Sequence, residues 1–485
     1  MTDQIAFALV VAAVAAAVIL AVLSNRLSQR LRIPAPAFFL VAAALLALAL
    51  PPVAESGRQL DEKVVSIALA FILFDGGMHI GWRRFRGSAA PILWLGIAGT
   101  AVTAAAVALA AHLLLGLDLT ASLLLGAALS PTDPAVVFSV LGRKEIGGRT
   151  GTILEGESGA NDPVGIAIMA ALLAATGTGW GAVGSGVLEF LLQLGIGAVV
   201  GIIGGLGLRL LLSRLTLPSE SLASVFAIAA AGLLYGLGTA AHGSGFLAVF
   251  IAGILIGDLH APYKTEITRF TSGIASLAEI VAFAVLGLTI RLDVVLRPEV
   301  LVPGLAIAAI LSFIIRPVLV GALSLPLRIR WGERAFLLWA GLKGAVPILL
   351  GLLIVSADVP GAQTLYGIVF VVVLFSVVVQ GGLVPLLARA LRVPMREVEA
   401  RPWSLDVRFA DRPTGLERHT VESGSAADGA TVGDLFPDEL ARVALASRDG
   451  RSLPVRSGTR LRSGDVVLTD IDDGHDITDL FTPRE

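Results

Sequence analysis

Apolar runs of close to 20 residues recur along the chain from residue 5 to residue 391, separated by short polar connections. A helix of that length crosses a hydrocarbon core about 30 Å thick. The pattern predicts thirteen spans, near 5–24, 35–52, 64–82, 90–114, 119–141, 151–176, 183–208, 221–241, 244–258, 272–290, 299–324, 334–356 and 362–391. The ninth is short, and the seventh is long enough to tilt. The first run has no basic leading stretch and its arginines follow it, so it reads as a true span rather than a signal peptide. Beyond Val398 the pattern changes. Short alternating runs at 442–446 and 465–469 stand between turns such as Ser447-Arg448-Asp449-Gly450 and Ser463-Gly464-Asp465. These predict a small α/β or β-rich domain. The expected organisation is a membrane domain over 1–393, a linker over 394–413 and a cytoplasmic domain over 414–485.

Composition agrees with the pattern. The chain is 55% hydrophobic and 15% charged, with a mean hydropathy of +0.85, whereas soluble domains carry about 25% charged residues. A large soluble core is thereby excluded as the main architecture. A net charge of -2 offers nothing to nucleic acid, and the absence of cysteine removes disulfides and thiolate metal sites. The distribution of charge is more informative. Connections after odd-numbered spans, with the stretch after the last, hold 20 basic residues, against 4 on the opposite side. Basic loops stay in the cytoplasm, which places the N-terminus outside and the C-terminal domain inside a bacterial cell membrane.

Polar residues inside the runs carry the chemistry. An acid at the bilayer centre costs about 2.5–3.5 kcal/mol on insertion scales, so such an acid is a functional candidate. The sixth run contains Glu155-Gly156-Glu157-Ser158-Gly159-Ala160-Asn161-Asp162-Pro163. The fifth is interrupted by Ser130-Pro131-Thr132-Asp133-Pro134, whose two prolines break a helix and whose Thr132 and Asp133 are candidates for binding the ion or proton. The twelfth is interrupted by Gly341-Leu342-Lys343-Gly344-Ala345-Val346-Pro347. The odd offset between these runs reverses their sense in the membrane, so spans 1–6 and 8–13 could form inverted repeats joined by the seventh. Paired broken helices in two halves point to a transporter's binding site.

Glu157 and Asp162 are about 140° apart around a helix and need different partners. Arg316, in the eleventh run, cannot deprotonate, and Glu157 is its best partner. Asp162 is left freer, and desolvation suits it to trade a proton for a cation. Ser158 shares its face and can coordinate the same ion. Asn161 could fix the broken chain. Lys343 could neutralise half-helix ends or pair with Asp133. Asp75 and Glu279 are further intramembrane acids, each readable as a pathway group or a packing hydrogen bond.

Phe74-Asp75-Gly76-Gly77, Ser130-Pro131-Thr132-Asp133-Pro134, Glu157 to Pro163, Gly243-Ser244-Gly245-Phe246-Leu247-Ala248, Arg316-Pro317 and Gly341-Leu342-Lys343-Gly344-Ala345 occur in an order that resembles NhaP-type cation/proton antiporters of the monovalent cation:proton antiporter-1 family. The likeness covers nearly all of 5–391. It implies an NhaA-like fold: an all-α polytopic membrane protein of inverted repeats, with two broken helices crossing, working as a homodimer. It further implies that Asp162 binds the proton or the monovalent cation, with Ser158 and Thr132 as co-ligands, Asn161 stabilising the crossing, and Glu157–Arg316 as a core ion pair. The family usually has arginine at Lys343, and lysine cannot reproduce a bidentate fork. The tail resembles the RCK-C (TrkA-C) domain at Arg448-Asp449-Gly450, Leu453-Pro454 and Ser463-Gly464-Asp465-Val466-Val467. That likeness implies the potassium/proton branch, dimeric packing and control by a small ligand such as a nucleotide. The expected function is cation/proton antiport, probing K⁺ first and Na⁺ as the alternative. A cation channel and an ion-coupled solute symporter are the other classes. No nucleophile–base pair marks an enzyme, and no cofactor is called for beyond the transported ions.

Overall fold

The computed structural model describes residues 35–49, 58–141, 144–174, 180–214, 219–259, 263–327, 329–397, 416–436, 441–448, 451–471 and 477–482. The span expected at 5–24 lies outside them, as does the linker beyond 397. The chain forms two compact units, 1–398 and 399–485.

The first unit is helical. Helix α1 covers Ala35–Ala49 and α2 covers Arg58–Leu93. The polar stretch after residue 82 was expected to be a loop between two spans, but it is wound into α2. The only interruption is Gly81, at φ 66° and ψ 162°. A single residue suffices because Asp258, 175 positions on from Arg83, accepts the Arg83 N–H at 2.6 Å and caps the new helix start. A π-helical turn, Trp94–Gly99, then leads into α3, Thr100–Leu115.

The fifth expected span is two pieces, α4 at Leu119–Leu129 and α5 at Ala135–Leu141. Asp118 starts α4 by accepting the Ala121 N–H at 2.9 Å. A strand, β1 at Lys144–Ile146, precedes the long helix α6, Gly148–Ala174. Then follow α7 (Trp180–Arg214), α8 (Glu220–Ala240), α9 (Gly245–Gly257) and α10 (Lys264–Thr289). The short α11, Leu292–Val295, turns the chain into α12, Pro298–Ile310. A π segment, Leu311–Val320, extends α12 into α13, Gly321–Leu323. The twelfth expected span is also split, into α14 at Trp331–Trp339 and α15 at Ala345–Ser356. Helix α16, Ala362–Phe375, passes through a π turn at Ser376–Gln380 into α17, Gly381–Ala390.

Among the described residues six helical stretches are long and apolar enough to cross a membrane, while α4, α9 and α15 are apolar but short. Helix α6 has the length, but its acids break the apolar pattern. Helices α2, α9 and α10 pack together, α7 lies on α9, and α12 packs on α16. The aliphatic face of α7 stays exposed at Leu188, Leu191, Val199 and Ile203, as suits a helix against lipid. The membrane unit ends in β2, Met395–Glu397, which pairs antiparallel with β1: Lys144 faces Glu397, Glu145 faces Arg396 and Ile146 faces Met395. The linker expected to begin at 394 therefore starts as an ordered strand. Three residues without alternation give no strand signal, but the Gly147 N–H bond to the Pro394 carbonyl, at 2.8 Å, extends the ladder.

The second unit is a four-stranded antiparallel sheet in the order β3-β6-β4-β5, with β3 at Leu416–Thr420, β4 at Ala441–Arg448, β5 at Arg451–Leu453 and β6 at Val466–Ile471. A one-turn helix, α18 at Val432–Leu435, begins with a capping box between Thr431 and Asp434. The small core gathers Val421, Ala427, Ala446, Leu461, Val467 and Phe481. Arg448 on β4 grips the fully buried Asp465 with two bonds of 2.8 Å. That fork joins two stretches that carry the tail's sequence resemblance.

Candidate functional site

Pro131 and Pro134 have no N–H to give, so α4 cannot run on through them. Buried backbone polar groups need partners, and unwound backbone at membrane depth survives only inside protein or along a cavity. Here α6 and the second break supply the partners. Thr132 donates its N–H to Asn161 Oδ1 at 3.1 Å, and Asn161 Nδ2 donates to Thr132 Oγ1 at 2.7 Å. Ser158 Oγ donates to the Thr132 carbonyl at 2.6 Å. The Asp133 N–H goes to the Leu342 carbonyl at 2.8 Å, which sets one break directly against the other.

Charge compensates the exposed helix ends in both directions. Lys343, from the second break, is fully buried and donates its Nζ to the carbonyls of Ser130 and Pro131 at 3.1 and 2.8 Å. A cation there faces the negative end of α4. Its contacts are these carbonyls rather than the Asp133 carboxylate. Asp133, from the first break, accepts the Ala135 N–H at 2.8 Å and also bonds the Ala345 N–H, at the positive ends of α5 and α15. Its carboxylate lies against Gly344, where a Cβ would overlap it.

The two acids of α6 diverge. Glu157 meets Arg316 Nη2 at 3.2 Å, with both side chains buried. Arg316 Nε holds the Leu338 carbonyl at 3.1 Å, at the end of α14. Gly341 leaves the room its guanidinium fills. Arg316 lies in the π segment of α12, and Gly96 of the first π turn presses on α6 beside the Glu157 carbonyl. Wider turns of this kind are frequent at functional sites. Asp162 is buried, and its Oδ1 has no hydrogen-bond partner among the described residues. Asp133 and Lys343 are the charges that act on it. A buried carboxylate oxygen without a donor is costly, and a proton or a cation relieves that cost. Ser158, one helical turn before Asp162, bonds the Thr132 carbonyl, so hydroxyl and carbonyl oxygens of the first break and of α6 meet close to this acid in the chain.

The other candidates are held differently. Asp75 on α2 accepts Ser272 Oγ at 2.9 Å and faces His79 Nδ1 at 3.3 Å, so its bonds run to α10 and its own helix. Glu279, half-buried on α10, lies in the field of Asp133. Two residues of these networks escaped the sequence reading. Ser272 has no distinguishing neighbour. Ser376 accepts the Lys343 N–H, and its one signal is that it is the only serine or threonine between Thr364 and Gln380.

Comparison with known proteins fits this geometry. The sodium/hydrogen exchanger, transmembrane, family matches residues 12–390, and the chain belongs to that family. It is an integral membrane protein. A K(+)/H(+) antiporter NhaP of Alkalimonas amylolytica is 35% identical over 411 residues, 83% of this chain and 70% of the relative. A K(+)/H(+) antiporter NhaP2 of Shewanella sp. (strain MR-4) is 32% identical over 409 residues, 83% of this chain and 71% of the relative. The Na(+)/H(+) antiporter ApNhaP of Aphanothece halophytica is 29% identical over 332 residues, 66% of this chain and 63% of the relative. The structure of the sodium proton antiporter MjNhaP1 from Methanocaldococcus jannaschii at pH 8 has the same fold, with a TM-score of 0.68 at 21% identity over 77% of this chain and 99% of that one.

Proposed function

We propose that this chain exchanges a monovalent cation for protons by alternating access, with Asp162 as the group that binds either. The observation that carries the reading is the buried Asp162 oxygen, without a hydrogen-bond partner among the described residues, in the field of Asp133 and Lys343 from the two breaks. One carboxylate serving both ligands couples them by competition alone. Ser158 and Thr132 are co-ligands, Asn161 and Asp133 hold the crossing, and Glu157–Arg316 is structural. K⁺ is the favoured cation, supported by the names of the two most similar relatives described above. Na⁺ is the second reading, supported by the Aphanothece relative. The basic connections orient the C-terminal unit into the cytoplasm. That unit is an RCK-C-like regulator that binds a small ligand, a nucleotide being the first class to try, and the protein works as a homodimer. Support for regulation comes from β2, which ties the chain just ahead of that unit to the loop before α6.

The test is proton flux in everted vesicles driven by K⁺, Na⁺ or Li⁺. Asp162→Asn should abolish cation-dependent proton movement while the protein still inserts and purifies. Normal exchange in that variant would sink the assignment. In the wild type, the apparent KM for the cation should rise in proportion to proton concentration on the acid side, with the maximal rate unchanged. A KM that ignores pH would exclude competition at one carboxylate.

A further inference from the structure

We propose that Ser376 is a positioning residue for ion exchange, acting through Lys343 on the unwound backbone of the first break at Ser130 and Pro131. The inference rests on the reading of Asp162 given above. Ser376 opens the π turn between α16 and α17 and is buried to 1% exposure. Its Oγ accepts the Lys343 N–H at 2.9 Å. That N–H belongs to unwound backbone, where no helical carbonyl is in place to receive it. The same peptide unit is fixed from its other side, because the Leu342 carbonyl takes the Asp133 N–H. Lys343 is thus pinned at its backbone between the π turn at Ser376 and the first break.

The consequence passes through a chain of hydrogen bonds, one step at a time. The Lys343 ammonium holds the carbonyls of Ser130 and Pro131. These precede Thr132, whose carbonyl takes Ser158 and whose N–H and hydroxyl take Asn161. A lysine reaches these carbonyls on a flexible stem, so its backbone anchor decides where the ammonium sits. Losing the Ser376 oxygen leaves a buried N–H unpaired, and the cheapest relief is a shift of the 342–344 backbone. That shift draws the ammonium off the α4 end and changes the oxygen geometry on Thr132 and Ser158.

Ser376→Ala is measured in proteoliposomes of the full chain, with Ser376→Cys as a second variant that keeps size but accepts weakly, and Ser376→Thr as the conservative rescue. The expected result is a rise in cation KM of about tenfold in the alanine and cysteine variants, with a maximal rate close to wild type and KM restored by threonine. A purely packing role predicts lower thermal stability with unchanged KM in all three. An unchanged KM in whichever of the alanine and cysteine variants folds overturns the proposal. Asp162→Asn in the same assay separates the two ideas: if it is inactive while the Ser376 variants exchange normally, only the positioning role falls. If Asp162→Asn exchanges normally, the reading of the site falls first.

Discussion

Glu157 and Asp162 share one helix, five residues apart, yet the first is matched with Arg316 and the second keeps an oxygen without a donor among the described residues. On the function proposed above, their different surroundings divide structural from exchanging work. Arg316 stays charged in any protein environment, so removing its partner strands a buried cation. Glu157→Gln should therefore lower stability by about 3–5 kcal/mol while the ratio of K⁺ to Na⁺ flux is kept. Thermal unfolding in detergent, alongside flux, checks both halves. An unchanged unfolding temperature would remove the pair from the core's support. The spacing of these acids was readable because helix geometry turns five residues into divergent directions. The carbonyls that Lys343 holds were not readable, since no side-chain identity marks Ser130 O and Pro131 O as acceptors.

The broken helices were legible as elements because their punctuation is local: two prolines in the first, two glycines and a proline in the second. The bend at Gly81 was not, since its stability depends on Asp258, which is remote in sequence. The same holds for β1 and β2, three residues each, which read as loops until paired. At this scale close approach is the constraint. A methyl at Gly344 would overlap the Asp133 carboxylate and drive it from the ends of α5 and α15. Overpacking of this kind costs about 1–3 kcal/mol. Gly344→Ala should accordingly lose most exchange activity, whereas Gly273→Ala on α10, where nothing lies within 4 Å of the added carbon, should retain it. Equal activity of the two variants would show that the crossing tolerates slack.

In the whole molecule, the two units have separate hydrophobic cores. Asp465 is buried and answered by Arg448 from a neighbouring strand of the tail sheet, together with the Arg462 N–H at 2.8 Å. Asp465→Asn removes the buried carboxylate onto which Arg448 forks and should destabilise the tail by about 3 kcal/mol. Limited proteolysis should then cut the tail first, with the membrane unit intact and still exchanging. Simultaneous loss of both units would mean that they fold as one.

The β1·β2 ladder also sets an order of events during synthesis. Lys144 pairs with Glu397, so β1 leaves the ribosome about 250 residues before its partner exists. At about 5–20 residues per second, it waits roughly 10–50 s. Every helix from α6 to α17 is made in that interval, with the strand just ahead of α6 still unpaired. Closing the ladder is then a late step of assembly, reached only once the membrane unit has been translated to its end.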